Sequence, residues 1–113
     1  MEPRLSSSVL VHALLRLAER DGGNGAVLAK GDPNSGAITV VLAERGERRQ
    51  ILERLLQGDG IYAWQETGSH AAASDEEFRR FLDRRRRFDP DMWLLELDVA
   101  SAQRFADEMR DVG

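Results

Sequence analysis

The chain has 113 residues, 20 acidic against 16 basic side chains, a formal charge of −4 and no cysteine. That length supports one domain, residues 1–113, able to bury about two-thirds of the surface its unfolded chain exposes and to fold without a covalent staple. The missing cysteines exclude disulfides, thiol catalysis and iron–sulfur clusters, and the acidic balance argues against a general nucleic-acid binder, whose domains carry a basic excess.

Ser6, Ser7 and Ser8 are candidate N-caps of an amphipathic helix in which Leu10, Leu14, Leu17 and Ala18 repeat at helical spacing. His12, Arg16 and Glu19 fall on its wet side, and Gly22-Gly23 stops it. Residues 26–30 read as a short strand and 37–44 as a longer one rich in β-branched side chains, with Gly31-Asp32-Pro33-Asn34-Ser35-Gly36 as the hairpin loop between them. Residues 48–56 carry Ile51, Leu52, Leu55 and Leu56, which also fit a helix stripe. The tight turns around Arg45-Gly46 and Gly58-Asp59-Gly60 favour a meander strand, and strand is the reading taken.

Residues 61–66 follow as a strand with Tyr62 and Trp64 on one face. After a loop at 68–73, Ser74-Asp75-Glu76-Glu77 is a capping box opening a helix whose apolar stripe is Phe78, Phe81, Leu82 and Phe88. Asp89, biased from helical geometry by Pro90, ends it. Residues 92–97 form an apolar strand, and Asp98 or Ser101 caps a final helix lined by Ala102, Phe105, Ala106 and Met109. The order α-β-β-β-β-α-β-α predicts an α+β fold: a four-stranded antiparallel meander, a crossover helix and a fifth strand, in one antiparallel or mixed sheet with helices on one face.

Fifteen of the sixteen basic residues are arginine, and six of them lie between Arg79 and Arg87 with Asp83 the one acid among them. On a regular helix Arg85 projects into the apolar stripe and Arg87 points away. An unpaired buried guanidinium would cost several kcal/mol, so a carboxylate partner is expected from Asp32, Asp89, Asp91 or Glu96. The remaining arginines either compensate the helix C-terminus or bind an anionic partner. Asp32, Asp89, Asp91 and Glu96, with Asp98, have a permissive spacing for a hard metal ion, but turn chemistry and ion pairing account for them equally. No metal ligand, catalytic residue or cofactor is assigned.

Other signals carry less. Gly31 and Gly36 match the glycine spacing of a phosphate loop, but Ala37-Ile38 stands where Lys-Ser/Thr is needed and a strand follows. His12 and His70 lack metal-ligand spacing, and no G-x-S-x-G turn presents a serine nucleophile. Tyr62, Trp64 and Trp93 would suit base stacking beside the arginines, although aromatics on the strands of a small sheet usually belong to its core.

Lys30-Gly31-Asp32 followed by Ser35-Gly36-Ala37, and Arg87-Phe88-Asp89-Pro90-Asp91-Met92-Trp93 with Glu96, together resemble the small bacterial domain of unknown function 1491 family. The resemblance runs from Arg4-Leu5 through the 11–17 helix to the Glu96 strand, and is less clear at 51–56 and beyond Asp98. It implies a stand-alone cytoplasmic protein and brings no activity, substrate or catalytic residue. Pairing the two motifs suggests that Lys30, Asp32, Arg87, Asp89, Trp93 and Glu96 meet on one side of the sheet as a polar cluster beside an indole. With Arg84, Arg85 and Asp91 these make the candidate patch. The expected role is a non-enzymatic interaction or adaptor module with a protein partner, self-association through a sheet edge or the terminal helices, and no membrane. The alternative is an anionic ligand, nucleotide or RNA held by Arg79, Arg80, Arg84, Arg86 and Arg87. A metal-assisted hydrolase using Asp32, Asp89, Asp91 and Glu96 is the third reading.

Overall fold

The structure is a computed structural model describing residues 6–68 and 74–112. Its elements follow the expected order: α1 (Ser7–Arg20), β1 (Asn24–Ala29), β2 (Ile38–Glu44), β3 (Glu47–Leu56), β4 (Tyr62–Glu66), α2 (Asp75–Phe88), β5 (Trp93–Asp98) and α3 (Ala102–Met109). The expectations for His70 and for the Arg4-Leu5 start lie outside the described residues, as does most of the 68–73 loop.

The caps are the ones hydroxyl chemistry favours. Ser6, Ser74 and Ser101 each accept a hydrogen bond from the backbone N–H three residues on, at Val9, Glu77 and Arg104. Asp98 is therefore not the cap of α3. Its carboxylate instead accepts from the N–H groups of Arg45 and Gly46 at 3.0 and 2.8 Å, holding the β2–β3 turn in which Arg45 takes φ 52° and Gly46 φ 81°. That turn makes residues 47–56 a strand despite their helix-compatible spacing. Ile51 and Leu52 then face opposite sides of the sheet and both are buried, which is why simple alternation is missing.

The sheet order is β1-β5-β2-β3-β4, and this corrects the expected four-stranded meander. β5 lies between β1 and β2, antiparallel to β1 and parallel to β2, so the meander is confined to β2-β3-β4. The 31–36 segment is not a hairpin loop but a bridge across the start of β5. A strand as continuously apolar as Trp93-Leu94-Leu95 is best covered on both faces and both edges, which a central position supplies.

The helices also divide, rather than sharing one face. α1 and α3 pack with Ile38, Val40, Leu42, Trp93, Leu95 and Leu97. On the opposite face Phe78 and Phe81 of α2 pack with Val41, Ile51, Met92 and Leu94. Phe88, expected in the α2 stripe, is 89% exposed. The chain turns into β5 directly after it, and Met92 takes the apolar place in that layer.

Candidate functional site

The two sequence motifs meet at the end of the sheet where β5 begins, and backbone bonds join them. Asp32 donates its N–H to the carbonyl of Asp91 at 2.9 Å, and Trp93 donates its N–H to Ala37 at 2.7 Å. The indole Nε1 of Trp93 donates to the carbonyl of Asp32 at 2.7 Å. A Cβ on Gly31 or Gly36 would stand 2.2 or 2.3 Å from the Asp91 carbonyl oxygen, so only glycine lets the loop come this close. The start of α1 closes the loop from above: Ser7 and Ser8 donate their N–H groups to Asn34 and Pro33, and the buried Ser7 Oγ donates to Gly36 at 2.6 Å.

Two of the three aspartates at this clasp have their carboxylates engaged. Asp32 accepts from the N–H groups of Ser35 and Asn34, each at 2.9 Å, and these bonds hold its carboxyl below the usual carboxylate range. Asp89 accepts from the N–H of Asp91 at 3.2 Å, ordering the Asp89-Pro90-Asp91 turn. Beside them an open cleft of about 410 Å³ is lined by Ser6, Asn34, Ser35, Arg54, Tyr62 and Asp89, among others. The Arg54 guanidinium stacks over the Tyr62 ring at 4.3 Å.

Of the expected polar cluster, the clasp brings together Asp32, Asp89, Asp91 and Trp93. Lys30 is exposed just beyond β1, while Glu96 is half-buried opposite Ala26 and Val41. Among the described residues no ion pair joins Lys30 or Arg87 to Asp32, Asp89 or Glu96. Nor does any group of three or more carboxylates and histidines among them converge to hold a metal ion. Trp93 is buried and Trp64 packs against the same core, so these two rings are not laid out as a stacking platform.

Arg85 does turn to the sheet, as its helical position requires, but its carboxylate is none of the four proposed. It pairs with Glu53 of β3, only 8% exposed, and donates to Thr67 Oγ1 at 3.1 Å. Glu53 was legible in principle: on a strand it shares a face with Ile51, which is the face α2 covers. Arg48 ties the other end of α2 down by pairing with Asp75 and lying over the Phe78 ring at 4.2 Å.

The outer side of α2 is different in kind. Arg80 pairs with Glu76, one turn back. Arg79, Arg84, Arg86 and Arg87 are exposed and form no ion pair among the described residues. Shallow depressions of about 420 and 220 Å³ separate them, the first lined by Asp83, Arg86, Arg87 and Pro90 and the second by Arg80, Asp83, Arg84 and Arg87. Phe88 stands at the end of this ridge.

The family model described as a protein of unknown function (DUF1491) matches residues 5–107. A crystal structure of a DUF1491 family protein from Caulobacter crescentus is similar, with 30% identity, a TM-score of 0.76, and coverage of 90% of this chain and 94% of that one. An NMR structure of a DUF1491 family protein from the same organism shares 28% identity at a TM-score of 0.75, covering 92% and 94%. A solution structure of a protein from A. tumefaciens shares 28% identity at a TM-score of 0.73, covering 91% and 92%. No curated protein matches the chain. Among the described residues no helix is long and apolar enough to cross a membrane.

Proposed function

The chain belongs to the DUF1491 family, and from that premise, which carries no activity with it, we propose a non-enzymatic interaction module that binds an acidic protein segment through the outer ridge of α2. The observation that carries this reading is Phe88, 89% exposed at the end of α2, directly after the Arg84–Arg87 run and one turn on from the exposed Arg84. An exposed aromatic flanked by arginines has the composition of an interface centre, where aromatic and arginine side chains supply most of the binding energy. Charge compensation of a helix C-terminus fades within its last turn, so it leaves Arg79 and Arg84 without that explanation. The partner that fits is a peptide segment with carboxylates for the guanidinium groups and an apolar side chain for the Phe88 ring.

A nucleic acid fits less well. Glu76, Glu77 and Asp83 share the helix with the arginines, the whole chain carries −4, and the ridge is too short to follow a phosphate backbone far. The test is affinity capture from nuclease-treated native extract with the wild type, Phe88→Ala and Arg84/Arg86/Arg87→Ala. A protein retained in moderate salt, and lost roughly tenfold with either variant, supports the reading. Retention of nuclease-sensitive material alone, lost with the arginine variant, refutes it in favour of RNA or DNA.

A further inference from the structure

The outer surface of α2 carries a pattern beyond its charge. On a regular helix Arg80, Asp83, Arg84 and Arg87 project away from Phe78 and Phe81, which turn to the sheet. The depression of about 220 Å³ is lined by Arg80, Asp83, Arg84 and Arg87, and the one of about 420 Å³ by Asp83, Arg86, Arg87 and Pro90. Each set has the spacing i, i+3, i+4, i+7, with Pro90 completing the second just past the helix end. That is the four-cornered hole a helix presents to a side chain of a second helix. The holes are consecutive, displaced by three residues or ~4.5 Å along the axis.

Their chemistry and spacing restrict what can enter. Three guanidinium groups line the first hole and two the second, so each suits a carboxylate. Asp83 is a corner of both and forms no ion pair among the described residues. It repels a continuous polyanion, whereas a segment with carboxylates only once per turn can set a basic or amide side chain against it. An extended segment gains affinity from backbone bonds to a sheet edge, and the α2 surface offers none because its N–H and C=O groups are spent within the helix. A helical segment satisfies its own backbone. Its side chains three or four residues apart stand about 5–6 Å from one another on one face, which matches the step between the holes.

We infer that the acidic segment bound by this ridge is itself a helix, laid along α2 with carboxylates on successive turns entering the two holes. This docking rests on the reading of the ridge as an acidic-segment site, to which it adds the conformation and spacing of the segment.

Fluorescence anisotropy with two labelled alanine-based peptides of identical composition, matched in helicity by circular dichroism, tests the docking. In one, glutamates recur three and four residues apart along a single face; in the other they stand two residues apart and point to different faces. The one-face peptide should bind the full wild-type chain about fivefold or more tightly than the other. Arg84/Arg86/Arg87→Ala, with its own fold checked by circular dichroism, should erase that difference. A central proline in the one-face peptide, which breaks its helix, should abolish most of its binding. Equal binding of the two arrangements, both lost with the arginine variant, overturns the helical docking and leaves the acidic reading standing. So does undiminished binding of the proline peptide when the arginine variant still loses it. Binding of neither peptide, or binding that the arginine variant leaves intact, removes the acidic reading and the helical docking with it.

Discussion

Replacing Arg85 by alanine removes the cation that lies between α2 and the sheet. Glu53, 8% exposed, would keep a carboxylate in that layer without the guanidinium that pairs with it. Breaking one side of a buried pair costs about 3–5 kcal/mol. The Arg85 side chain is 35% exposed, so water reaches the pair and the appropriate figure is lower, about 2–3 kcal/mol. Loss of the guanidinium over the Phe81 ring, 5.4 Å away, falls within that range. For a domain of this size the expected drop in Tm is roughly 8–20 °C. Arg87→Ala, on the exposed side of the same helix, should stay within about 0.5 kcal/mol. The double variant Arg85→Met/Glu53→Leu removes both charges and fills the space with apolar atoms, and it should recover most of the loss. Thermal and urea unfolding of the four proteins measure all of this. Equal effects of Arg85→Ala and Arg87→Ala would refute the buried pair, and a double variant no better than Arg85→Ala would show that the cost is lost packing rather than a stranded carboxylate.

Two further outcomes concern the clasp. Gly31→Ala should destabilise the fold severely or prevent it, since its Cβ would stand 2.2 Å from the Asp91 carbonyl oxygen; Gly58→Ala, with nothing within 4 Å, should be nearly neutral in the same unfolding assay. Asp32 has its carboxyl held below its ordinary value by the Ser35 and Asn34 amides. Its contribution is therefore complete above the unfolded carboxylate pKa, near about 4, and is lost as the pH falls through the lower folded value. The stability gap between wild type and Asp32→Ala should be widest near neutral pH and close in strong acid; a gap that widens on acidification would contradict the assignment.

The element order was readable because each element carries a local signal: serine caps at Ser6, Ser74 and Ser101, glycine stops, and Pro90 after α2. Strand order was not, because nothing local distinguishes a six-residue hairpin loop from a six-residue bridge over an intervening strand. The signal lay at a distance, in the near-continuous apolar run of β5, which marks a central strand. The same non-local difficulty hid Glu53. Its neighbours Ile51 and Leu52 suggested a one-sided stripe, and only a sheet covered on both faces makes room for a carboxylate beneath α2. Arg85, by contrast, was found from helix geometry alone, since its partner's identity does not affect the direction in which it points.

The clasp changes where function should be sought. Its motif residues are the ones a reader notices first, because Asp32, Asp89 and Trp93 look like a polar site beside an indole. Yet the Asp32 carboxylate accepts two backbone amides, Asp89 accepts a third, and the Trp93 N–H is spent on the Asp32 carbonyl. Groups so engaged would have to give up bonds that shape the bridge, order the Asp89–Asp91 turn and tie the bridge to β5 before they could hold a ligand, at a cost of about 1 kcal/mol or more for each bond. Arg79, Arg84, Arg86 and Arg87 of α2 and the ring of Phe88 carry no such debt to the fold. A partner gains more by meeting these than by opening the clasp, which is the physical reason for reading the motifs as architecture and the ridge as the surface for binding.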